Sequence, residues 1–298
     1  MKTWQLLKQN PELFNRYFVK EYLIKAIRKF FEEREYHELE SPILAFELPQ
    51  ERYLDVLSTS IEFQNGDKKE VYIIPSTETY NKKILVAGLG NHFVITKVSR
   101  GLEEISPNHS PEFTMLEWYE LGNDYHDLMN STEELVINIK KFLDKKFNRE
   151  ENLEIVYQGQ KINLGAPWYR FSVKELFEKH LNVDLDNYLE KETMIELAKS
   201  LEFNLSAEDD WQTAFDMIFS AKIEPNFPLD KPIFVYDYPK AMCPLTKESK
   251  DPNYCQKVEF YIAGKEIGNG YTELTDWKEQ EKRFKIEQKA RKELGRKE

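Results

Sequence analysis

Residues 92 to 120, HFVITKVSRGLEEISPNHSPEFTMLEWYE, admit few folds. Phe93 to Val98 is apolar and rich in β-branched residues, which predicts a strand. Arg100 to Pro111 has the Pro, Asn, Ser and Glu content of a connecting loop. Glu112 to Glu120 then alternates as a returning strand. With a side-chain period of two, Phe113, Met115, Glu117 and Tyr119 share one face, and Glu112, Thr114, Leu116 and Trp118 share the other. A chain that folds back on itself in this way commits to an antiparallel sheet. Packing alone does not place a carboxylate, Glu117, between Met115 and Tyr119.

The flanking segments supply layers for that sheet. Asn15 to Arg34 carries Phe18, Tyr22, Leu23, Ile27, Phe30 and Phe31 at helical spacing, and Tyr36 to Glu40 follows as a short strand before Pro42. Arg52 to Glu62 and Glu70 to Ile74 read as strands around Asn65-Gly66-Asp67. A helix is expected over Tyr80 to Ala87, with Ser76 or Thr77 as its N-cap and Glu78 suited to its dipole. Residues 127 to 147 form another helix. Helices at Val173 to Leu181, Lys191 to Ser200 and Gln212 to Ala221 follow within an α/β stretch to which no chemistry is assigned.

Towards the end, Phe234 to Tyr238 reads as a buried strand. Val258 to Ile262 and Ile267 to Leu274 form a hairpin around Ala263-Gly264-Lys265. On its second strand Asn269, Tyr271 and Glu273 share a face, and Gly268 and Gly270 leave room for a ligand or a second backbone. Glu266 has the wrong parity for that face and needs the turn or a bulge to join it. Trp277 to Lys297 interleaves charges of both signs, the pattern of a solvated helix.

Bulk properties narrow the partners. Of 298 residues, 41% are hydrophobic, with no Pro/Gly/Ser-rich linker, repeat or membrane-length apolar run. Two cysteines, Cys243 and Cys255, make neither a disulfide framework nor a metal cluster, so a reducing cytoplasm is expected. A net charge of −11 opposes broad nucleic-acid binding, which needs Lys and Arg against phosphate.

The order R-x-x-E-E…H-S-P-E-F-T-M-L-E-W-Y resembles motif 2 of the class II aminoacyl-tRNA synthetases in its lysine-specific form. VEFYIAGKEIGNGYTELTD resembles the strand pair that precedes motif 3 in the lysyl enzymes. ESPIL, PSTETYNKKILVAGLG and FVYDYPKAMCPLTK add weaker likenesses, so the resemblance covers nearly the whole chain. Within the family the chain is most similar to the truncated paralogs that lysylate elongation factor P. The resemblance implies an α+β fold, an antiparallel sheet flanked by helices. It implies one catalytic domain over 1–298, with an insertion at 148–230 and a homodimer formed through motif 1.

The same resemblance implies roles. Arg100 bridges the amino-acid carboxylate and the α-phosphate of ATP, Phe113 stacks on adenine, and Glu103 and His109 contact the nucleotide. Glu259 and Glu266 lie on the Mg²⁺ side. Ser76 and Glu78 border the amino-acid pocket, with Glu78 receiving the α-ammonium. Glu117 and Glu273, with Tyr119, hold a lysine ε-ammonium, and Glu266, Asn269 and Tyr271 complete the substrate set. Alone, Arg100 reads as a surface charge and Phe113 as core; the ordered set points to chemistry.

The activity implied is ATP-dependent activation of lysine or β-lysine and transfer to a lysine of elongation factor P. The absence of an anticodon-binding module makes tRNA the less favoured acceptor. Arg100-Gly-Leu-Glu103 is one residue longer than the family's usual spacing, and nothing after Asp276 resembles motif 3. The chain is therefore read as a fragment or as a paralog of altered activity. A lysine-tRNA or small-molecule lysylating ligase, and a catalytically silent binding subunit, stand as alternatives.

Overall fold

Alternation in 92–120 is realised as two antiparallel strands that register residue for residue, from His92 against Tyr119 to Ser99 against Glu112. The computed structural model describes residues 3–47, 54–101, 106, 109–206, 209–293 and 295–296. In chain order, α1 (Thr3–Gln9) and α2 (Phe14–Glu32) precede β1 (His37–Glu38), β2 (Leu44–Ala45), β3 (Ser58–Glu62) and β4 (Lys68–Ile73). Then come α3 (Glu78–Val86), β5 (His92–Ser99), β6 (Glu112–Tyr119) and α4 (Tyr125–Lys146). β7 (Glu154–Tyr157), β8 (Gln160–Asn163), β9 (Tyr169–Ser172), α5 (Val173–Leu181), α6 (Lys191–Ser200) and α7 (Trp211–Ile218) follow. β10 (Ile233–Pro239), β11 (Tyr254–Ile262), β12 (Lys265–Tyr271) and α8 (Trp277–Glu293) complete the order. The architecture is α+β, as expected: antiparallel pairs predominate, with β1–β5 and β9–β10 parallel.

The chain divides into two compact units. One comprises Arg28–Gly122 and Lys278–Glu298. Its sheets run β1-β5-β6 and β2-β4-β3. Phe93 and Trp118, paired across β5 and β6, share the face that meets Phe31, whose ring lies 4.7 Å from Phe93 and 5.7 Å from Trp118. That buried aromatic layer leaves the odd-numbered residues of β6 on the other face. β3 begins at Ser58; of the stretch expected before it, Arg52 and Tyr53 lie outside the described residues, and the backbone that follows is engaged elsewhere: Arg291 donates to the Leu54 carbonyl and Gly101 N to that of Asp55.

Helix α8 corrects a second expectation. Its charges were read as solvated, yet Arg283, Glu287 and Arg291, four residues apart, are buried. Arg283 pairs with Glu279 at 2.9 Å and Arg291 reaches Leu54. A charged residue every fourth position makes a stripe as surely as an apolar one.

The other unit comprises Met1–Ile27 and Asn123–Trp277. Besides the β7-β8 hairpin it has a four-stranded sheet, β12-β11-β10-β9, covered on both faces. Tyr125 and Met129 of α4 pack with Trp168, Phe234 and Val258 on one side. α5, α6 and α7 bury Phe177, Met194, Trp211, Phe215 and Ile218 against Ile233, Val235 and Tyr261 on the other. α5 is set by a capping box between Ser172 and Glu175, and α4 by one between Asp124 and Asp127. Ala263 and Gly264, both at positive φ, close the β11–β12 hairpin.

Gly268 and Gly270 do not make room for a ligand or a backbone. Opposite Phe260 and Val258, they lie on the α4 side of the sheet. A Cβ there would meet the Phe260 ring at 2.7 Å or Leu128 Cδ2 at 2.3 Å, so neighbouring side chains take that space. No helix among the described residues is long and apolar enough to cross a membrane.

Candidate active site

Arg100, Phe113, Glu117 and Tyr119 belong to the first unit with Ser76, Glu78 and His109. Arg100 leaves the end of β5, its N–H donating to the Pro111 carbonyl at 3.0 Å, which fixes both ends of the intervening loop. Its guanidinium lies 5.5 Å from the centre of the Phe113 ring, and its Nε donates weakly to Pro75 O at 3.4 Å. Cation and aromatic face are thus neighbours, as a nucleotide's phosphate and base require. His109 is exposed in the loop and meets Ser106. Glu103 lies outside the described residues.

Glu117 projects from the β6 face shared with Phe113 and Tyr119 and is half-buried. Ser76 Oγ donates to its Oε1 at 2.7 Å and Thr77 N at 3.0 Å; Thr77 Oγ1 donates to its Oε2 at 2.7 Å. Tyr119 OH stands at 3.5 Å from Oε2, beyond a normal O–H···O bond. Each carboxylate oxygen accepts about two hydrogen bonds. Oε1 is therefore full, and Oε2 keeps a place for one more donor. The carboxylate also faces the start of α3, where the helix dipole favours negative charge.

These contacts change the expected cap of α3. Thr77 occupies the N-cap in helical conformation with no capping bond from its side chain, because its hydroxyl is committed to Glu117. Ser76 Oγ instead accepts from Glu78 N at 3.0 Å while donating to Glu117. Glu78 pairs with Lys82 on the same helix. Behind Tyr119, its ring stacks 5.2 Å from that of the fully buried His92. The Gly90 carbonyl, at 2.8 Å, accepts from His92 Nδ1. Thr77 escaped sequence reasoning because a hydroxyl before a helix already has a local explanation.

The second unit carries Glu259, Glu266, Asn269, Tyr271 and Glu273. Phe260 pairs with Gly268 but Tyr261 with Glu266, so Ile267 is an extra residue. This bulge supplies the parity change Glu266 needs, and Asn269 donates to it at 3.3 Å. Tyr271 ends β12 opposite Lys257, and Glu273 bridges Thr246 just beyond.

Glu259 is heavily engaged. Tyr238 and Tyr261 each donate to Oε2 at 2.7 Å, and Lys257 lies 2.9 Å from Oε1. Burial alone would raise its carboxyl, but the Lys257 charge and the two phenols hold it below the usual carboxylate range. Burial works against the Lys257 ammonium, yet Glu259 raises it above its ordinary value. Glu266 keeps an exposed edge; its surroundings, then the Glu259 charge, push its carboxyl up.

These acids fit Mg²⁺ unequally. Glu266 accepts one weak amide bond and would lose its raised pKa to a cation, which suits a carboxylate completing a phosphate-bound ion. A cation at Glu259 would have to replace the Lys257 ammonium. Among the described residues no group of three or more His, Cys, Asp or Glu could hold a metal on protein ligands alone. Cys243 and Cys255 are buried thiols.

Residues 2–297 match the family described as tRNA synthetases class II (D, K and N). A lysine–tRNA ligase of Carboxydothermus hydrogenoformans is 33% identical over 292 residues, 95% of this chain and 55% of that protein. The corresponding ligase of Roseiflexus castenholzii is 32% identical over 277 residues, 92% of this chain and 54% of its own length. An elongation factor P–(R)-beta-lysine ligase of Histophilus somni is 33% identical over 275 residues, 92% of this chain and 77% of that protein. The chain thus spans about half the length of the lysine–tRNA ligases it matches.

Proposed function

We propose, from the premise that this chain belongs to the class II tRNA synthetases of the D, K and N group, that it serves an ATP-dependent ligase activating lysine or β-lysine. Glu117 is the observation that carries this reading. Its carboxylate is held by three donors, faces the start of a helix, and keeps one acceptor position open beside Tyr119. That position suits one N–H of an amino-acid ε-ammonium. A substrate without the charge would leave the half-buried carboxylate uncompensated.

In the first step a carboxylate oxygen of the substrate attacks the α-phosphorus of ATP and pyrophosphate leaves, giving the aminoacyl-adenylate. Arg100 bridges the attacking carboxylate and the α-phosphate with its planar fork, while Phe113 supports the adenine. His109 and Glu103 contact the nucleotide, and Ser76 and Glu78 border the α-amino group. Glu78 must exchange Lys82 for that group. Positioning and charge neutralisation dominate such a step.

Asn269, Tyr271 and Glu273 remain assigned to the amino acid, and Glu266, with Glu259 beside it, to the metal. When bound, Mg²⁺ supplies charge neutralisation for the phosphates; Glu266 would hold it, with Lys257 keeping Glu259 in place. In the second step an acceptor amine attacks the adenylate carbonyl, an amide forms and AMP leaves. The proposed acceptor is a lysine of elongation factor P. What supports it is the likeness to the Histophilus somni ligase across 77% of that protein. The lysine–tRNA ligase relatives favour tRNA as the second reading.

Lysine-dependent ATP–pyrophosphate exchange tests the first step. Labelled lysine offered with ATP and either elongation factor P or tRNA then shows which acceptor is labelled. No exchange with lysine or β-lysine overturns the proposal. Label on tRNA alone selects the second reading.

A further inference from the structure

Asn81 lies in the second turn of α3 and is fully buried. Its Nδ2 donates to Thr77 Oγ1 at 2.7 Å, four residues back on the same helix face. Thr77 Oγ1 in turn stands 2.7 Å from Glu117 Oε2. A threonine hydroxyl has one hydrogen, and an ionised carboxylate only accepts. That hydrogen therefore goes to Glu117, and the group facing Thr77 from Asn81 must be a donor. The relay settles the amide's orientation, and it does so at a cost. Asn81 Oδ1 is buried with no hydrogen-bond partner among the described residues. A lone buried amide acceptor is unfavourable. An apolar residue would avoid that cost.

We propose that Asn81 is a positioning residue for Glu117, acting through the Thr77 hydroxyl; the inference rests on the assignment of Glu117 to the substrate ammonium. Without Asn81, the Thr77 hydroxyl regains acceptor capacity and rotational freedom. It can then turn to local carbonyls, as threonine hydroxyls at helix starts do. Glu117 Oε2 loses its one short bond, and the lone pair meant for substrate is no longer aimed. With Asn81 donating, the hydroxyl has one orientation, and substrate meets a carboxylate already in place. Asn81 touches neither substrate nor nucleotide in this scheme.

The test uses the full chain in four variants: Asn81→Leu, Thr77→Val, their combination, and Thr77→Ser. In lysine-dependent exchange, Asn81→Leu is expected to raise the lysine KM about tenfold, with kcat and the ATP KM within about twofold. Thr77→Val does the same or more, Thr77→Ser retains most affinity, and the double variant matches Thr77→Val alone. Residues acting through one hydroxyl are non-additive. A lysine KM unchanged by Asn81→Leu, or losses that simply add in the double variant, would overturn the proposal. Should Asn81→Leu fail to fold, Asn81→Asp, which presents only acceptors to Thr77, replaces it with the same expectation. A crystal structure of the variant gives a readout independent of activity. If Thr77 Oγ1 stays at 2.7 Å from Glu117 Oε2 as in the parent, the relay is refuted. If the parent shows no exchange but the variant loses that contact, the substrate assignment falls and the positioning role stands.

Discussion

Lys257→Met isolates the energetics of the second unit. The substitution keeps the length of the side chain and removes the cation paired with Glu259, whose side chain is 14% exposed while that of Lys257 is 18% exposed. Removing one partner of a buried pair costs about 3–5 kcal/mol, because the other charge is left uncompensated. Glu259 retains two phenol hydrogen bonds, which places the expected loss at the lower end, about 3 kcal/mol. For a domain of this size that is a fall in melting temperature of roughly 6–12 °C. The pH dependence has a definite sign. In the parent the lowered Glu259 carboxyl contributes stability above its unfolded value and loses it as pH falls. In the variant burial is opposed by the two phenols without the ammonium, so the carboxyl lies higher than in the parent and the penalty relaxes as Glu259 takes up a proton. The difference between the two is thus full at neutral pH and shrinks through the carboxylate range. Glu259→Gln added to Lys257→Met should restore part of the loss. Thermal and urea unfolding at pH 7.5 and pH 5 measure all three proteins. A loss below about 1 kcal/mol, one that grows on acidification, or a double variant worse than Lys257→Met, would refute the pair as described.

Glu117→Gln removes the charge but keeps the shape, and should raise the lysine KM in exchange by roughly 10- to 100-fold with little change in the ATP KM; equal effects on both substrates would show a general disruption. Phe113→Ala should raise the ATP KM about tenfold and leave the lysine KM nearly unchanged, since one aromatic surface beside Arg100 is lost. Gly268→Ala should destabilise by about 1–3 kcal/mol, and more than Gly270→Ala, in chemical unfolding. The added methyl meets a rigid Phe260 ring at position 268 but only the mobile end of Leu128 at 270, even though the second contact is shorter. Asp124→Ala should cost about 1 kcal/mol through the lost capping box of α4.

What sequence revealed and what it hid divide along physical lines. α5 and α6 fall where the sequence pattern placed them, because each turns an apolar stripe towards one core. The faces of β6 were legible from alternation, since a two-residue period admits no ambiguity once pairing is fixed. Glu266 was flagged by parity, and the bulge at Ile267 resolves it. Hidden were features decided by long-range partners. Thr77 has the chemistry of a cap, and only Glu117, 40 residues on, draws its hydroxyl away. Nothing local in the sequence marks Asn81 as buried. Arg283, Glu287 and Arg291 looked solvated because the Leu54 carbonyl that receives Arg291 lies 237 residues away. The same distance explains β3: Leu54 and Asp55, expected within it, are tied to that helix and to Gly101.

The extra residue in β12 gives the hairpin two independently adjustable ends. Beyond Gly268 the register is locked by Phe260 and Val258, whereas Glu266 is carried by the short segment between Ile267 and the Ala263-Gly264 turn. Lengthening or shortening that turn would move one carboxylate and leave Asn269 and Tyr271 where they stand. Descendants of this scaffold thus have a route to retune the reach of a single acid by loop length alone, without rebuilding the sheet that presents it.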